Sequence, residues 1–170
     1  MNPTSPPPTH PRPYARFFAM VITSTIAMFG LMYLNTYEAD HVFFSQTRAW
    51  MAVLMGAVMA AVMLLFMTHM LTSRRANAAI VVVSALAFGL SLWLVRSQAT
   101  VDQVSYMKAM IPHHSIAIMT SRRADIRDPR VRRLADGIIE AQVREIGEMK
   151  SLITDLERRP PPPGAAGAAR

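Results

Sequence analysis

The chain has 170 residues, 52% of them hydrophobic and 17% charged, and a formal net charge of +7. The absence of cysteine excludes disulfides, thiolate metal sites, iron–sulfur clusters and cysteine nucleophiles. The basic residues are dispersed, which argues against a nucleic-acid surface. The apolar residues crowd between positions 17 and 95, and this crowding predicts an integral membrane protein.

Residues 1–13 are rich in proline, lack apolar periodicity and are predicted to be disordered. A membrane domain is predicted over residues 14–96. It contains three apolar segments, at residues 17–34, 49–71 and 77–95. Each segment is long enough to cross a hydrocarbon core of about 30 Å as a helix. The sequence therefore predicts three transmembrane helices.

Arginines near the ends of these segments predict their orientation in the membrane. Four arginines flank the ends of the apolar segments on one side of the membrane, and two flank the ends on the other side. The first group is Arg12, Arg16, Arg74 and Arg75, and the second is Arg48 and Arg96. Because cytoplasmic loops carry the excess of positive charge, the N-terminus is predicted to be cytoplasmic. The chain would then lie in the cytoplasmic (inner) membrane, with residues 97–157 outside the cytoplasm.

Methionine recurs at every fourth position of the second apolar segment. The series comprises Met51, Met55, Met59, Met63 and Met67. A ladder of thioethers would offer Cu(I) a path through the membrane. Packing or lipid contact is the favoured interpretation, because no charge or second ligand type accompanies the series before His69.

After residue 95 the pattern becomes amphipathic and predicts two helices, at residues 100–126 and 129–156. Asp128 is a good N-cap and Pro129 a good first helical residue, so a tight connection at residues 127–128 is expected. Pro112 predicts a kink or a helix boundary inside the first of these helices.

The second of these helices carries an apolar stripe typical of a core-facing helix. Its members are Val131, Leu134, Ala135, Ile138, Gln142, Ile146, Met149, Leu152, Ile153 and Leu156. A lone pair of helices cannot bury both of its stripes, so self-association into a four-helix bundle is expected, as a homodimer or a higher oligomer. The tail, residues 158–170, is predicted to be disordered.

Metal-ligating side chains concentrate in this hairpin. If the two helices rise equally, the candidate ligands of the first helix face those of the second. Met110 is then level with Glu145, and His113 is level with Gln142. The facing residues are Met107, Met110, His113 and His114 on the first helix and Gln142, Glu145 and Met149 on the second. Thioethers and imidazoles without thiolates favour Cu(I) or Ag(I). The alternative interpretation is that the methionines fill the core and the histidines hydrogen-bond to Gln142 or Glu145. Both interpretations stay open at this point.

The segment Met-Ile-Pro-His-His at residues 110–114 and the pattern Ala-Gln-x-x-Glu-Ile-x-x-Met at residues 141–149 resemble the bacterial domain-of-unknown-function family numbered 305. The resemblance covers residues 101–156. It implies a ferritin-like helical bundle, typically extracytoplasmic, with copper bound through Met and His in some relatives. By position it marks Met107, Met110, His113, His114, Gln142, Glu145 and Met149. Two features depart from the family: Ser115 stands where Gln is frequent, and one hairpin replaces a tandem pair.

A second group of candidate ligands, Glu38-Ala-Asp40-His41, lies between the first two apolar segments. Its Glu-x-x-His spacing occurs in di-iron proteins, but those proteins repeat the motif on several long helices. Asp40 and His41 can add accessory ligands to the C-terminal domain, although a solvated loop is the favoured interpretation.

The sequence therefore predicts an all-α protein: three transmembrane helices followed by a two-helix ferritin-like hairpin. The predicted function is extracytoplasmic binding or handling of Cu(I) or Ag(I) by a membrane-tethered protein whose partners are the bilayer and further copies of itself. The predicted ligands are Met107, Met110, His113, His114, Glu145 and Met149, with Gln142, Asp40 and His41 as accessory residues. The alternative is a structural or protein-interaction module that binds no metal. The sequence offers no recognisable catalytic constellation, so an enzyme is not predicted.

Overall fold

The computed structural model describes residues 13–159. Over this range the chain forms five α-helices and one short 3₁₀ turn, without a β-strand. The helices are α1 (Pro13–Leu31), α2 (Gln46–Phe66), α3 (Arg74–Ser97), α4 (Gln103–Arg123) and α5 (Pro129–Arg158), and the 3₁₀ turn covers Ala39–His41. The predictions of disorder at the two chain ends fall almost wholly on residues outside the described range; Pro13 and Arg158 belong to helices.

Helices α1, α2 and α3 confirm the prediction of three long apolar helices. They contain 19, 21 and 24 residues, and each is long and apolar enough to cross a membrane. At 1.5 Å per residue, their lengths of about 29 to 36 Å match a hydrocarbon core of about 30 Å. Helix α1 ends at Leu31, a few residues earlier than the apolar run suggests, and turns follow it.

The described chain divides into two compact units. The first contains residues 13–29 and 50–96, and the second contains residues 30–49 and 97–159. The segment 30–49, which sequence analysis places inside the membrane domain, therefore groups with the C-terminal helices. The reason is side-chain chemistry, because polar and aromatic residues of this segment bond to and pack against α4 and α5.

The core of the first unit is formed by apolar side chains from all three of its helices and from the loop between α2 and α3. Its buried members are Phe17, Leu64, Leu71 and Ile80. Met63 and Met67 pack against this core. Two members of the methionine series thus have a packing role, as the favoured interpretation expects.

Helices α1 and α2 approach closely at Gly56. A Cβ atom at position 56 would clash with Oγ1 of Thr25, so any side chain there would displace α1 or force Thr25 to rotate. Glycine at this position lets two apolar helices pack with small interfacial residues, as membrane helices commonly do.

Capping residues define where α4 and α5 begin. The carboxylate of Asp102 accepts a hydrogen bond from the backbone N–H of Ser105, and that of Asp128 accepts one from the N–H of Arg130. The predicted N-cap at Asp128, with Pro129 in the first turn, is confirmed. Pro112 lies inside α4, which continues through it, so of the predicted kink or helix boundary the boundary is excluded. Pro112 is fully buried.

The core of the second unit joins the hairpin to the preceding loop. Its buried members are Met107, Ile111, Ile118, Ile146 and Ile153, and Tyr37, Phe43, Val104, Ile139, Met149 and Leu156 pack against them. Only part of the predicted α5 stripe is covered: Val131, Leu134, Ile138 and Leu152 are exposed. One partner helix covers about one face of α5, and these four residues lie beyond that face.

Candidate metal-binding site

His114 on α4 is held at both ring nitrogens. Its Nδ1 lies 3.0 Å from the carbonyl oxygen of Met110, one helical turn earlier. Its Nε2 lies 2.8 Å from Oε2 of Glu145 on α5. The imidazole is therefore anchored to its own helix on one side and aimed at the facing helix on the other.

Both neighbours of the His114 ring are hydrogen-bond acceptors. An imidazolium donates to the Met110 carbonyl and the Glu145 carboxylate at once, whereas a neutral imidazole carries only one N–H. If that N–H is on Nδ1 and donates to the carbonyl, the lone pair of Nε2 points at the carboxylate. A metal-ligating histidine has this arrangement, with one nitrogen fixed by an oxygen acceptor and the other free for the ion. The 2.8 Å separation of Nε2 and Oε2 is that of a hydrogen bond or ion pair, so a cation bound by both atoms requires the Glu145 side chain to move away from the ring.

The His114–Glu145 pair lies at the edge of the hydrophobic core. The His114 side chain is 12% exposed and the Glu145 side chain is 42% exposed. Nε2 of Gln142 lies 3.4 Å from the same carboxylate oxygen of Glu145, a long hydrogen bond. The pair is consequently reachable from solvent while one of its members is largely buried.

His113 does not share this arrangement. It is exposed, and its ring centroid lies 6.3 Å from that of His114, with the ring planes 65° apart. Adjacent residues on a helix point about 100° apart. The pair His113-His114 therefore presents one imidazole to Glu145 and the other to solvent.

The predicted sulfur ligands separate into two groups. Met107 is buried in the hairpin core and Met149 packs against that core. Met110 is half-buried, and its backbone holds His114. Met107 and Met110 both share a helix face with His114, two turns and one turn before it, and Met110 is the less buried of the two.

The equal-rise prediction put Met110 level with Glu145, and the observed contact of Glu145 is with His114, one helical turn later in the chain. The two are compatible, because Nδ1 of His114 lies 3.0 Å from the Met110 carbonyl, so the ring reaches back to the level of Met110. Helix α4 ends at Arg123, and Ala124 and Asp128 both have extended backbone conformations.

His41 lies in the loop that precedes α2, and it is buried. It is 6% exposed, and its Nδ1 lies 3.0 Å from Oγ of Ser115, the residue that follows the two histidines of α4. The same hydroxyl accepts a hydrogen bond from the backbone N–H of Tyr37 at 2.9 Å. The favoured prediction of a solvated loop is therefore wrong for His41, because Ser115 anchors the loop to α4.

Asp40, beside His41, remains exposed. Its Oδ2 accepts a 2.6 Å hydrogen bond from Nζ of Lys150 on α5, and this bond lowers the pKa of the Asp40 carboxyl. Asp40 and His41 thus contact Lys150, Ser115 and Glu38. The described contacts of His114 are with Met110 and Glu145, so these contacts do not join the two groups.

Sequence reasoning missed two residues in this region. Ser115 entered only as a departure from the family pattern, yet it is fully buried and joins loop to helix. Glu38 entered only through its spacing, yet it forms a compact group with Asp40 and His41 in which the ligand atoms lie within 4.8 Å of one another. The close spacing of three potential metal ligands in the sequence was the available signal, and it does not predict the burial of His41.

Known proteins resemble the C-terminal part of the chain. Residues 102–169 match the family described as Domain of unknown function (DUF305). A relative from Acanthamoeba polyphaga mimivirus, described as Uncharacterized protein L153, is 42% identical over 66 residues, which make up 38% of this chain and 43% of the viral protein. The chain thus spans less than half the length of that curated relative. No solved structure matches it. The match to DUF305 confirms the family resemblance for residues 102–169, which include α4 and α5.

Proposed function

We propose that this protein is a membrane-tethered metal-binding protein that takes up Cu(I) or Ag(I) at His114 and Glu145. The observation that carries the proposal is the orientation of His114, whose Nδ1 is fixed by the Met110 carbonyl while Nε2 faces the Glu145 carboxylate. A ligand held in this way loses little freedom when it binds an ion.

Soft ligands near this pair favour copper. Met110 lies one turn before His114 on the same helix face, and its thioether is half-buried. His113 is adjacent and exposed, where it can bind an ion shared with another copy of the chain. Thioether and imidazole together favour Cu(I), whereas the carboxylate of Glu145 alone would favour harder ions. Met107 and Met149 serve the core in this proposal.

The exposed face of α5 supports self-association. Val131, Leu134 and Ile138 are respectively 48%, 65% and 37% exposed, and they recur at helical spacing. A second hairpin would cover them and complete a four-helix bundle. Mass measurement of the detergent-solubilised protein tests this, with Leu134→Glu as the disrupting variant and Arg133→Glu, on the neighbouring exposed position, as the control. A monomeric wild type would contradict the proposed assembly.

The proposed topology places the N-terminus in the cytoplasm and the hairpin outside the inner membrane, because four arginines flank the spans on one side and two on the other. An enzyme reporter that is active only outside the cytoplasm, fused after Leu156, should be active. Silence from a stable fusion would reverse the orientation.

Metal binding is tested on the full-length protein in detergent, since residues 30–49 pack with the hairpin. Cu(I) is titrated in competition with a chromophoric chelator, with Ag(I), Cu(II) and Zn(II) in parallel. His114→Ala and Met110→Leu should each weaken Cu(I) binding by about tenfold or more. Met107→Leu is the matched control, because Leu for Met preserves core volume and this thioether is not a proposed ligand.

A second candidate is a structural module in which the His114–Glu145 contact is an ion pair that joins the two helices. The burial of Met107 and Met149 in the core favours it. In that case Glu145→Gln should lower the stability of the hairpin by about 1 kcal/mol, and wild type and His114→Ala should bind Cu(I) equally weakly. That result would exclude the copper proposal.

A further inference from the structure

The loop between α1 and α2 contains a second group of metal-ligating side chains, separate in its contacts from His114 and Glu145. Glu38, Asp40 and His41 each contribute one ligand atom, and these atoms lie within 4.8 Å of one another. We infer that these three residues form a site for a hard or borderline divalent cation such as Zn²⁺ or Mn²⁺. The inference goes beyond the proposed copper site and does not depend on it.

The buried histidine distinguishes this group from an ordinary acidic cluster. The His41 side chain is only 8% exposed, whereas the Glu38 and Asp40 side chains are 54% and 66% exposed. Nε2 of His41 lies 3.6 Å from Oε2 of Glu38 and 3.8 Å from Oδ1 of Asp40, both longer than a hydrogen bond. The buried nitrogen thus faces two carboxylates across a gap.

The size of this gap suits an ion. In a tetrahedral site with bonds of about 2.0 to 2.2 Å, neighbouring ligand atoms lie about 3.3 to 3.6 Å apart. The distances from His41 to the two carboxylates are within a few tenths of an ångström of that range. The two exposed carboxylates can close the remaining distance by rotating their side chains.

The opposite nitrogen of His41 is held as a metal-ligating histidine requires. Its Nδ1 lies 3.0 Å from Oγ of Ser115, which is fully buried. When Nδ1–H donates to this hydroxyl, Nε2 carries the lone pair that an ion needs. Ser115 therefore positions the ligand, and it also accepts the N–H of Tyr37, which places the loop backbone.

The charges around the site favour a cation. Asp40 divides its oxygens, with Oδ2 bonded to Lys150 and Oδ1 turned towards His41. The positive charge of Lys150 thus offsets the negative charge of one carboxylate, and the cluster keeps one net negative charge when His41 is neutral. One nitrogen and two carboxylate oxygens, without sulfur, are ligands that Zn²⁺, Mn²⁺ or Fe²⁺ accepts and Cu(I) does not prefer.

The test measures Zn²⁺ and Mn²⁺ binding by full-length protein in detergent, in competition with a chromophoric chelator. The starting protein carries His114→Ala and Glu145→Gln, which removes the proposed copper site. It should still bind one equivalent of Zn²⁺. Adding Glu38→Gln or Asp40→Asn should weaken this binding by about tenfold or more, since even outer residues of metal sites contribute that much. Both substitutions are on exposed side chains, so the fold should survive.

Glu148→Gln is the matched control, because Glu148 is an exposed carboxylate of α5 outside the cluster. Zn²⁺ should also slow amide hydrogen exchange across residues 33–45 in the starting protein and have no such effect after Glu38→Gln. The inference is overturned if the starting protein binds no divalent cation, or if Glu38→Gln, Asp40→Asn and Glu148→Gln all bind it as the starting protein does. Loss of Cu(I) binding in His114→Ala alone bears only on the copper proposal.

Discussion

The attachment of the loop to α4 through Ser115 leads to a quantitative prediction. Ser115→Ala removes a hydroxyl that accepts the N–H of Tyr37 at 2.9 Å and lies 3.0 Å from Nδ1 of His41. The N–H of Tyr37 and Nδ1 of His41 then lose this hydrogen-bonding partner, at a site where Ser115 itself is fully buried. An unsatisfied buried polar group costs about 1 to 3 kcal/mol. With two such groups, of which the Tyr37 N–H is only partly buried, the closed loop should lose about 2 to 4 kcal/mol.

Hydrogen exchange with mass spectrometry measures this loss directly. A change of 2 kcal/mol corresponds to about a 30-fold increase in the population of the open loop. The amide of Tyr37 and its neighbours should therefore exchange about 30-fold faster or more, while the peptides of α5 change less. Zn²⁺ affinity should fall in the same variant, if the loop cluster binds an ion as inferred.

Thr120→Ala is the control on the same helix. The Thr120 hydroxyl bonds to the carbonyl of Ile116 on an exposed face, so its removal should change stability by less than about 0.5 kcal/mol. If Ser115→Ala leaves loop exchange within about threefold of wild type while helicity is unchanged, Ser115 does not hold the loop on α4. Equal acceleration in Ser115→Ala and Thr120→Ala would lead to the same conclusion.

Three further predictions concern packing and capping. Ile111→Ala should destabilise the hairpin by about 2 to 5 kcal/mol in thermal or chemical unfolding, because Ile111 is fully buried; a change below 1 kcal/mol would contradict its place in the core. Gly56→Ala should cost about 1 to 3 kcal/mol in detergent, and adding Thr25→Ala should restore part of the loss by removing the atom that the new methyl meets. The hydrogen bond from the N–H of Ser105 lowers the pKa of Asp102 in the folded protein. The stability from this cap should therefore be present above about pH 4 and lost as the pH falls through that lowered pKa. Asp102→Ala should abolish this pH dependence and cost about 0.5 to 2 kcal/mol of stability.

The contacts between α4 and α5 show where sequence reasoning succeeds. His114 and Glu145 were both predicted ligands, and the structure brings them into contact. The helical period puts Met110 and His114 on one face, and this relation follows from the sequence alone. A hydrogen bond between a histidine of α4 and Gln142 or Glu145 was expected in the interpretation without metal, and the structure shows it for His114 and Glu145. Which of the two histidines makes this bond did not follow from the sequence.

The loop shows where sequence reasoning stops. No helical or strand period predicts the orientation of Glu38, Asp40 and His41, and a short polar segment by itself indicates a solvated loop. The contact between His41 and Ser115 joins residues separated by 74 positions in the chain. A contact of that separation depends on how the whole unit packs.

The sequence by itself determined the all-helical class, the three apolar helices and the start of α5 at Asp128 and Pro129. Each of these depends on composition, on helical period or on a local hydrogen bond, and such signals span only a few neighbouring residues. Tertiary structure alone decided that His41 is buried against Ser115, that Met107 is buried while Met110 is half-buried, and that His114 rather than His113 contacts Glu145. These outcomes depend on the relative placement of distant segments, which is set by shape and by the need to satisfy buried polar groups.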